Sequence, residues 1–249
     1  MRGVIAIFMA LGFVIFFSSC QKEFNPDADT RPVSVRVKTY TEDITSSFYG
    51  NSVITYNLSY DANNRIISLT SAASPGDKFI YQYNGNSSYT LDIYNSNLIS
   101  IQESFFINSS LMVDSTLQHN GTDTTTEKYI YNSLKQLLKR KIYDYSTVTG
   151  ALLFDTDYYN YDTNGNVISD SNNSGITTYT FYNNLINSAM IGQFYFYQNK
   201  NLIKTTTYTS GGVTAIAKHT YTFDSKNRIS SERITSDNGD ILIKTYTYY

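Results

Sequence analysis

Apolar and polar side chains alternate along most of this chain, in short stretches separated by polar residues. Because residues two apart on a β-strand project to the same face, a period of two predicts strands with one apolar face. The alternation is clearest in 177–182, 205–208, 219–223 and 244–248. Polar stretches that predict loops are 71–77, 120–126 and 210–212. The pattern indicates an all-β fold.

One segment fits a second pattern. Leu134, Leu137 and Leu138 have the spacing of one face of a short helix. The flanking residues 129–132 and 141–145 instead continue the alternation of a strand. We therefore favour a strand here and keep a short helix as the alternative.

A degenerate repeat underlies the alternation. Each clear copy runs from an aromatic residue and an acidic residue through a polar turn to an aliphatic residue, at 60–66, 161–167 and 223–229. Weaker copies are 131–137 and 197–203, and shortened ones are 94–99 and 181–186. The residues that define the clear copies are Tyr60 and Asp61, then Tyr159, Tyr161 and Asp162, then Tyr221, Phe223 and Asp224.

Each copy has the composition of a β-hairpin. Tyr159 and Tyr161 are two apart and therefore form an aromatic pair on one side of a strand. The Asp that follows can accept a hydrogen bond from the backbone two residues on, and the Asn or Gly after it tolerates the left-handed conformation of a tight turn. We predict that these residues are structural, with the order strand, turn, strand.

This unit resembles the YD repeat of the RHS family, whose core is an aromatic pair, Asp, a short polar turn, Arg and an aliphatic residue. The resemblance extends over about 58–229. It implies that successive hairpins build a long antiparallel sheet that can spiral into a shell, and it implies no catalytic residue. The chain also resembles a group of Bacteroidetes lipoproteins that carry a YD-like repeat.

The fold that we expect is an antiparallel meander of repeated hairpins, forming a long twisted sheet that can curl. Tyr, Ile and Leu would occupy its inner face, with the tyrosine hydroxyls left hydrated. The last strand, 241–249, would offer an exposed edge able to recruit a partner strand.

The chain begins with a charged residue and an apolar segment. Arg2 is followed by an apolar run at 4–17 and then by Cys20, the single cysteine. A transmembrane helix, one alternative for this run, would need roughly 20 apolar residues. An ordinary cleaved signal, the second alternative, would leave an unpaired thiol in an oxidising compartment.

Residues 17–20 resemble the lipobox of bacterial lipoproteins, with Phe17 where Leu or Val is usual. The resemblance implies a signal peptide at 1–19 and a lipid on Cys20 that anchors the protein to a membrane. Residues 20–32 are polar and interrupted by proline, which predicts a flexible tether. The remainder, 33–249, would be a single β domain.

Acidic residues in the tether bear on its location. Glu23, Asp27 and Asp29 resemble the export signal that places some lipoproteins outside the outer membrane. We expect an outer-membrane lipoprotein of the cell envelope, and both the periplasmic and the surface-exposed side stay open.

Composition restricts the partners. The chain has 24 Tyr, no Trp and a formal net charge of −2. Without a long basic run it lacks the charge that dominates affinity for nucleic acids, so we predict no nucleic-acid partner. Exposed tyrosines could form a sugar-binding face, but alternate tyrosines more often cover and stabilise a sheet.

Residues with catalytic potential are few. His119 and His219 are predicted as a loop-side and a strand residue, so neither is assigned as a base, and two histidines alone do not make a zinc site. The acidic turn 237–240 lacks the rest of a calcium loop. We therefore predict no catalytic residue, metal or cofactor.

The favoured function is a non-enzymatic, lipid-anchored envelope protein that serves as a scaffold or binding module, with a protein or glycan partner. The alternative is a glycan-binding accessory lipoprotein of a polysaccharide uptake system, which a groove with exposed Tyr beside Asn and Asp would favour. A glycosidase is the least favoured hypothesis. It would require two of Glu103, Glu127 and Glu232 to meet in a cleft.

Overall fold

The computed structural model describes residues 36–47, 50–120, 123–146, 150–186 and 199–249. In these ranges sixteen antiparallel strands form one closed barrel. The strands are β1 (Val37–Ser46), β2 (Gly50–Tyr60), β3 (Ile66–Ser71), β4 (Lys78–Asn84), β5 (Ser88–Asn95), β6 (Leu98–Ile107), β7 (Val113–Asn120), β8 (Asp123–Tyr131), β9 (Leu137–Ser146), β10 (Gly150–Tyr161), β11 (Val167–Asn172), β12 (Gly175–Ile186), β13 (Asn201–Ser210), β14 (Val213–Phe223), β15 (Ile229–Ser236) and β16 (Ile241–Tyr248).

The first and last strands close the barrel. β1 pairs with β16, with Tyr40 opposite Tyr246, and β16 pairs on its other side with β15. The expected all-β meander of hairpins is confirmed. The expectation of an open sheet is wrong, and so is that of an exposed edge at 241–249, because β16 is paired on both sides. Closure hydrogen-bonds the backbone groups that an open sheet leaves unpaired at its two outer strands.

Two local expectations are tested by the structure. Leu134 lies in the β8–β9 turn and Leu137 begins β9, so the strand interpretation of this segment is correct. The loop expected at 120–126 is wrong, because β8 already begins at Asp123. No helix long and apolar enough to cross a membrane occurs among the residues that the structure describes.

The two ends of the barrel differ. The repeat turns 61–65, 162–166 and 224–228 lie at one end, where the chain also enters at Arg36 and finishes at Tyr249. We call it the turn end. We call the opposite end, which carries turns such as the one between β11 and β12, the rim.

The repeat turns share one hydrogen-bonding scheme. Asp61 Oδ1 accepts the backbone N–H groups of residues 63 and 65 at 2.9 Å, and Asp162 and Asp224 do the same for their own turns. The fourth residue of each turn has a left-handed backbone, with φ of 64° at Asn64, 88° at Gly165 and 60° at Asn227. Asn and Gly adopt this conformation at low cost, which explains their place in the repeat.

Two further turns follow the scheme with Asn in place of Asp. Asn132 belongs to a weak copy of the repeat, and Asn108 belongs to a copy, 107–113, that the sequence pattern did not reveal. The shortened copies differ. Residues 181–186 lie within β12, and Ser96 and Asn97 form a tight turn at the rim.

Tyrosine hydroxyls join successive repeats at the turn end. They donate hydrogen bonds to the carbonyl oxygens of residues that begin neighbouring strands, so they are not left to water as expected. The pairs are Tyr60 to Val37 (2.9 Å), Tyr83 to Ile66 (2.9 Å), Tyr131 to Val113 (2.7 Å), Tyr161 to Leu137 (2.8 Å) and Tyr248 to Ile229 (2.6 Å).

Apolar side chains fill the interior toward the turn end. Every member of the two core clusters is at most 8% exposed, and Tyr, Ile and Leu predominate as expected on an inner face. The clusters are Val37, Tyr40, Leu58, Ile66, Leu69, Leu202, Ile229 and Tyr246, and Tyr89, Leu91, Phe105 and Val113.

The outer face carries many hydroxyl side chains, interspersed with exposed apolar ones such as Val53, Phe106 and Ile176. In a closed barrel the strand positions that alternate with the core point outward, and many of these are Thr or Ser that hydrogen-bond across strands. Such pairs are Thr39 with Thr247 (2.6 Å), Thr41 with Thr55 (2.9 Å), Thr180 with Thr205 (2.5 Å) and Thr222 with Ser231 (2.7 Å). A barrel wall in contact with lipid instead carries an apolar band about 25 Å tall.

Candidate functional site

The rim has a step at β10. This strand begins at Gly150, but its ladder with β11 begins only at Tyr158, opposite Ser171. The β9–β10 hairpin therefore rises above the β11–β12 turn beside it. A groove runs along this step.

The groove, which we call the rim groove, has a volume of about 390 Å³. Phe154 and Tyr158 are 67% and 48% exposed, so aromatic surface is available beside polar groups. The lining residues are Leu153, Phe154, Asp155, Thr156, Tyr158, Ser171, Asn172 and Asn173.

Asp155 supplies a fixed acceptor in the rim groove. It is only 8% exposed, and its Oδ1 accepts the backbone N–H of Thr156 at 2.7 Å and of Asn173 at 3.3 Å. No described residue hydrogen-bonds its Oδ2. Two backbone donors thus orient the carboxylate within the lining of the rim groove.

Tyr158 is held by its neighbours on both sides. It lies opposite Lys139 on β9 and Ser171 on β11. Lys139 Nζ is 5.2 Å from the centre of the tyrosine ring, within the range in which an ammonium group is attracted to an aromatic face. The ring is therefore restrained while half of it stays accessible.

Asn172 fixes the floor of the rim groove. Its Oδ1 accepts the backbone N–H of Ser174 at 2.8 Å, and its Nδ2 donates to Asp157 Oδ1 at 2.9 Å. Asp157 in turn receives Arg140 Nη2 at 2.6 Å. The floor is thus braced by an ion pair inside the barrel.

A second group of charged side chains is buried inside the barrel. Glu232 accepts hydrogen bonds from Tyr221 Oη at 2.9 Å and lies 3.6 Å from Lys244 Nζ. Burial alone would raise the pKa of Glu232, but the Lys244 ammonium and the bond with His219 lower it to about 2. The carboxylate is therefore charged and satisfied within the fold.

The same group contains a hydroxyl, an imidazole and a carboxylate in line. Thr206 Oγ1 is 3.0 Å from His219 Nε2, and His219 Nδ1 is 2.9 Å from Glu232 Oε1. The order is that of a catalytic triad. Each of the three residues is at most 6% exposed, so a substrate has no access to the hydroxyl and we interpret the line as structural.

Glu103 and Glu127 approach each other on the inner wall. Burial and the Glu127 carboxylate raise the pKa of Glu103 to about 8, with the Thr116 hydroxyl and Arg140 acting in the opposite direction. Arg140 Nη1 lies 3.5 Å from Glu127 Oε1. Two of the three carboxylates considered for a glycosidase are therefore neighbours, but neither lines the rim groove.

The residues chosen from the repeat lie apart from the rim groove. Asp61, Asp162 and Asp224 are in turns at the turn end, and the aromatic residues of the repeat face the interior. Cys20 lies outside the described residues. The acidic turn 237–240 bonds internally, with Asp240 Oδ1 accepting the backbone N–H of Ser47 at 3.0 Å, and no group of metal-ligating side chains occurs within the described ranges.

Sequence reasoning missed the rim groove. One signal was available, because Leu152, Leu153 and Phe154 are consecutive apolar residues that break the alternation just before Asp155. In the structure the break coincides with an irregularity in the β9–β10 ladder between Leu153 and Asp155. β-Bulges of this kind redirect side chains at barrel rims.

Comparisons with known proteins support the fold. No protein-family model and no curated protein matches the chain. A porin-like protein from Bacteroides uniformis matches 88% of this chain and 100% of its own, with a TM-score of 0.62 and 12% sequence identity. A porin-like protein from Bacteroides vulgatus matches 86% of this chain and 98% of its own, with a TM-score of 0.50 and 15% identity. The chain therefore shares the barrel fold of these two structures.

Proposed function

We propose that this protein is a non-enzymatic, lipid-anchored component of the outer membrane that binds a ligand in the rim groove. Lipid on Cys20 would hold it at the membrane, and the barrel itself would stand in the aqueous phase. The observation that carries the binding role is the rim groove, whose lining combines the exposed rings of Tyr158 and Phe154 with the oriented carboxylate of Asp155.

Pore formation, which the names of the two similar structures suggest, fits this chain less well. Outward positions are rich in Thr and Ser that bond to one another, whereas a membrane-embedded wall requires apolar side chains there. Buried side chains also fill the interior toward the turn end. Both features favour a barrel surrounded by water.

A glycan is the ligand class that the rim groove supports best. Sugars present apolar ring faces that stack on aromatic side chains and hydroxyl groups that donate to carboxylates. Tyr158 and Phe154 supply the first kind of surface, and Asp155 with Asn173 supplies the second. This arrangement supports the glycan-binding alternative over a purely structural scaffold.

Binding is tested on a glycan array with the soluble domain from Val33. We expect retention of a defined sugar, and we expect Asp155→Asn and Tyr158→Ala each to weaken it about tenfold or more, the loss typical of a charged hydrogen bond or an aromatic contact. Matched controls are Asp237→Asn, another acidic residue that bonds a backbone N–H, and Tyr94→Ala, another tyrosine beside a lysine. Binding that is absent, or equally sensitive to the controls, would contradict the proposal.

Anchoring is tested separately in a Gram-negative host. We expect the wild-type chain to incorporate labelled palmitate and to fractionate with the outer membrane, and Cys20→Ser to do neither. A purified chain that raises the conductance of a planar bilayer would instead support a pore.

A further inference from the structure

The turn end carries cations that have no acidic partner. Lys200, Lys204 and Lys226 are exposed there, as is Arg36, and none of them forms an ion pair with a described residue. Arg36 hydrogen-bonds Asn64 and lies 5.7 Å from the ring centre of Tyr60. These groups place positive charge at this end.

The arginines of the repeat do not add to this charge. Arg65 is paired with Asp61 at 2.7 Å and Arg228 with Asp224 at 2.6 Å, so these turns are locally neutral. Asp162 bonds to groups of its own turn. Asp162, the exposed Asp114 and the C-terminal carboxylate of Tyr249 are negative charges at this end. They are outnumbered by Arg36, Lys38, Lys135, Lys200, Lys204 and Lys226, so the balance at the turn end is positive although the whole chain has a formal charge of −2.

The rim has the opposite balance. Acidic side chains at its turns accept hydrogen bonds from backbone N–H groups. Asp77 accepts that of Ser96, Asp237 that of Ile216 and Asp240 that of Ser47. The barrel is thus polarised along its axis, with a basic turn end and an acidic rim.

The polypeptide enters the barrel at the basic end. The backbone carbonyl of Arg36 accepts a hydrogen bond from the backbone N–H of Tyr249 at 3.2 Å. The first and last described residues therefore both lie at this end. The segment from Cys20 to residue 35 joins the anchoring cysteine to this end. A lipid on Cys20 would therefore be tethered to the turn end of the barrel and not to the rim.

We infer that the turn end is a docking surface for an anionic phospholipid membrane, and that it orients the barrel with the rim groove facing away from the bilayer. This inference rests on the proposed anchoring for its biological setting. Basic residues near an anionic surface each contribute attraction that falls off within a Debye length. The acidic rim would be repelled by the same surface, which reinforces the orientation.

The test removes the lipid, so that only the surface is measured. Residues 20–249 carrying Cys20→Ser are mixed with vesicles of phosphatidylcholine alone, or with about one-third phosphatidylglycerol, and bound protein is separated by flotation. We expect binding to the anionic vesicles at low salt, little binding to the neutral ones, and loss of binding at high salt.

Charge-reversal variants locate the surface. We expect the triple variant K200E/K204E/K226E to bind at least about tenfold more weakly. The control K78E/K128E/K218E changes the net charge equally but alters lysines away from the turn end, and should bind much more tightly than the triple variant. Unfolding midpoints of both are measured to exclude loss of fold.

Three results would overturn the inference. They are no preference for anionic vesicles at low salt, equal losses in both triple variants, and binding of soluble heparin without binding of anionic vesicles. None of them bears on palmitate incorporation at Cys20, so a failure here is distinguishable from a failure of the proposed anchoring.

Discussion

Replacing Glu232 with Gln removes one negative charge from the buried group that it forms with Lys244 and His219. Its pKa is lowered from 4.5 to about 2 in the folded protein. At about 1.36 kcal/mol per unit, this shift corresponds to about 3 kcal/mol of stability near neutral pH. The variant also leaves Lys244, which is 2% exposed, without its carboxylate partner.

The contribution has a defined pH dependence. Because the pKa is lower in the folded state than in the unfolded state, the stabilisation is complete well above pH 4.5 and is lost as the pH falls toward 2. At pH 3 about half of it remains. The cost of Glu232→Gln should therefore be about half as large at pH 3 as at pH 7.

Urea unfolding followed by circular dichroism measures this cost. The midpoints of wild type and Glu232→Gln are compared at pH 7 and pH 3, with Asp43→Asn on the outer face as a control expected to change stability by less than about 0.5 kcal/mol. Adding Lys244→Met to the variant should cost less than the two single changes together, because the two groups are coupled. An equal destabilisation at both pH values would refute the electrostatic explanation.

Three further changes test other parts of the fold. Glu103→Gln should gain stability relative to wild type as the pH rises from 5 to 8, because the raised pKa of Glu103 means that its ionisation opposes folding in that window, and thermal melts at each pH would show it. Asn227→Val should destabilise by about 1–2 kcal/mol and Asn227→Gly should not, since φ is 60° at this position, as chemical denaturation would show. Tyr161→Phe should cost about 1 kcal/mol in the same assay by leaving the Leu137 carbonyl without its donor, and an unchanged midpoint would contradict that role.

Local features of the fold could be read from the sequence because they depend on neighbouring residues. The alternation of apolar and polar positions indicates strands through side-chain geometry, and an Asp followed by Asn or Gly indicates a turn through backbone hydrogen bonds. The copy at Asn108 escaped notice because Leu111, not Asn or Gly, takes the left-handed conformation there, with φ of 60°.

Closure and the rim groove depend on distant residues. Thr39 and Thr247 hydrogen-bond between β1 and β16 although they are 208 positions apart. No residue near either of them in sequence indicates this pairing. The rim groove arises from a mismatch in length between β10 and β11, and its polar residues are ordinary turn and strand residues in sequence. Similarly, the partners of Glu232 come from two other strands, so its low pKa had no local signal.

The pairing of β1 with β16 constrains how the protein matures. During synthesis β1 emerges first, and its second neighbour does not exist until β16 has been made. Chains that stop early would retain two open ladders, which are sites for aggregation and proteolysis. Synthesis through β16 is thus a condition for a closed barrel, and the pairing of β1 with β16 distinguishes a full set of strands from a partial one.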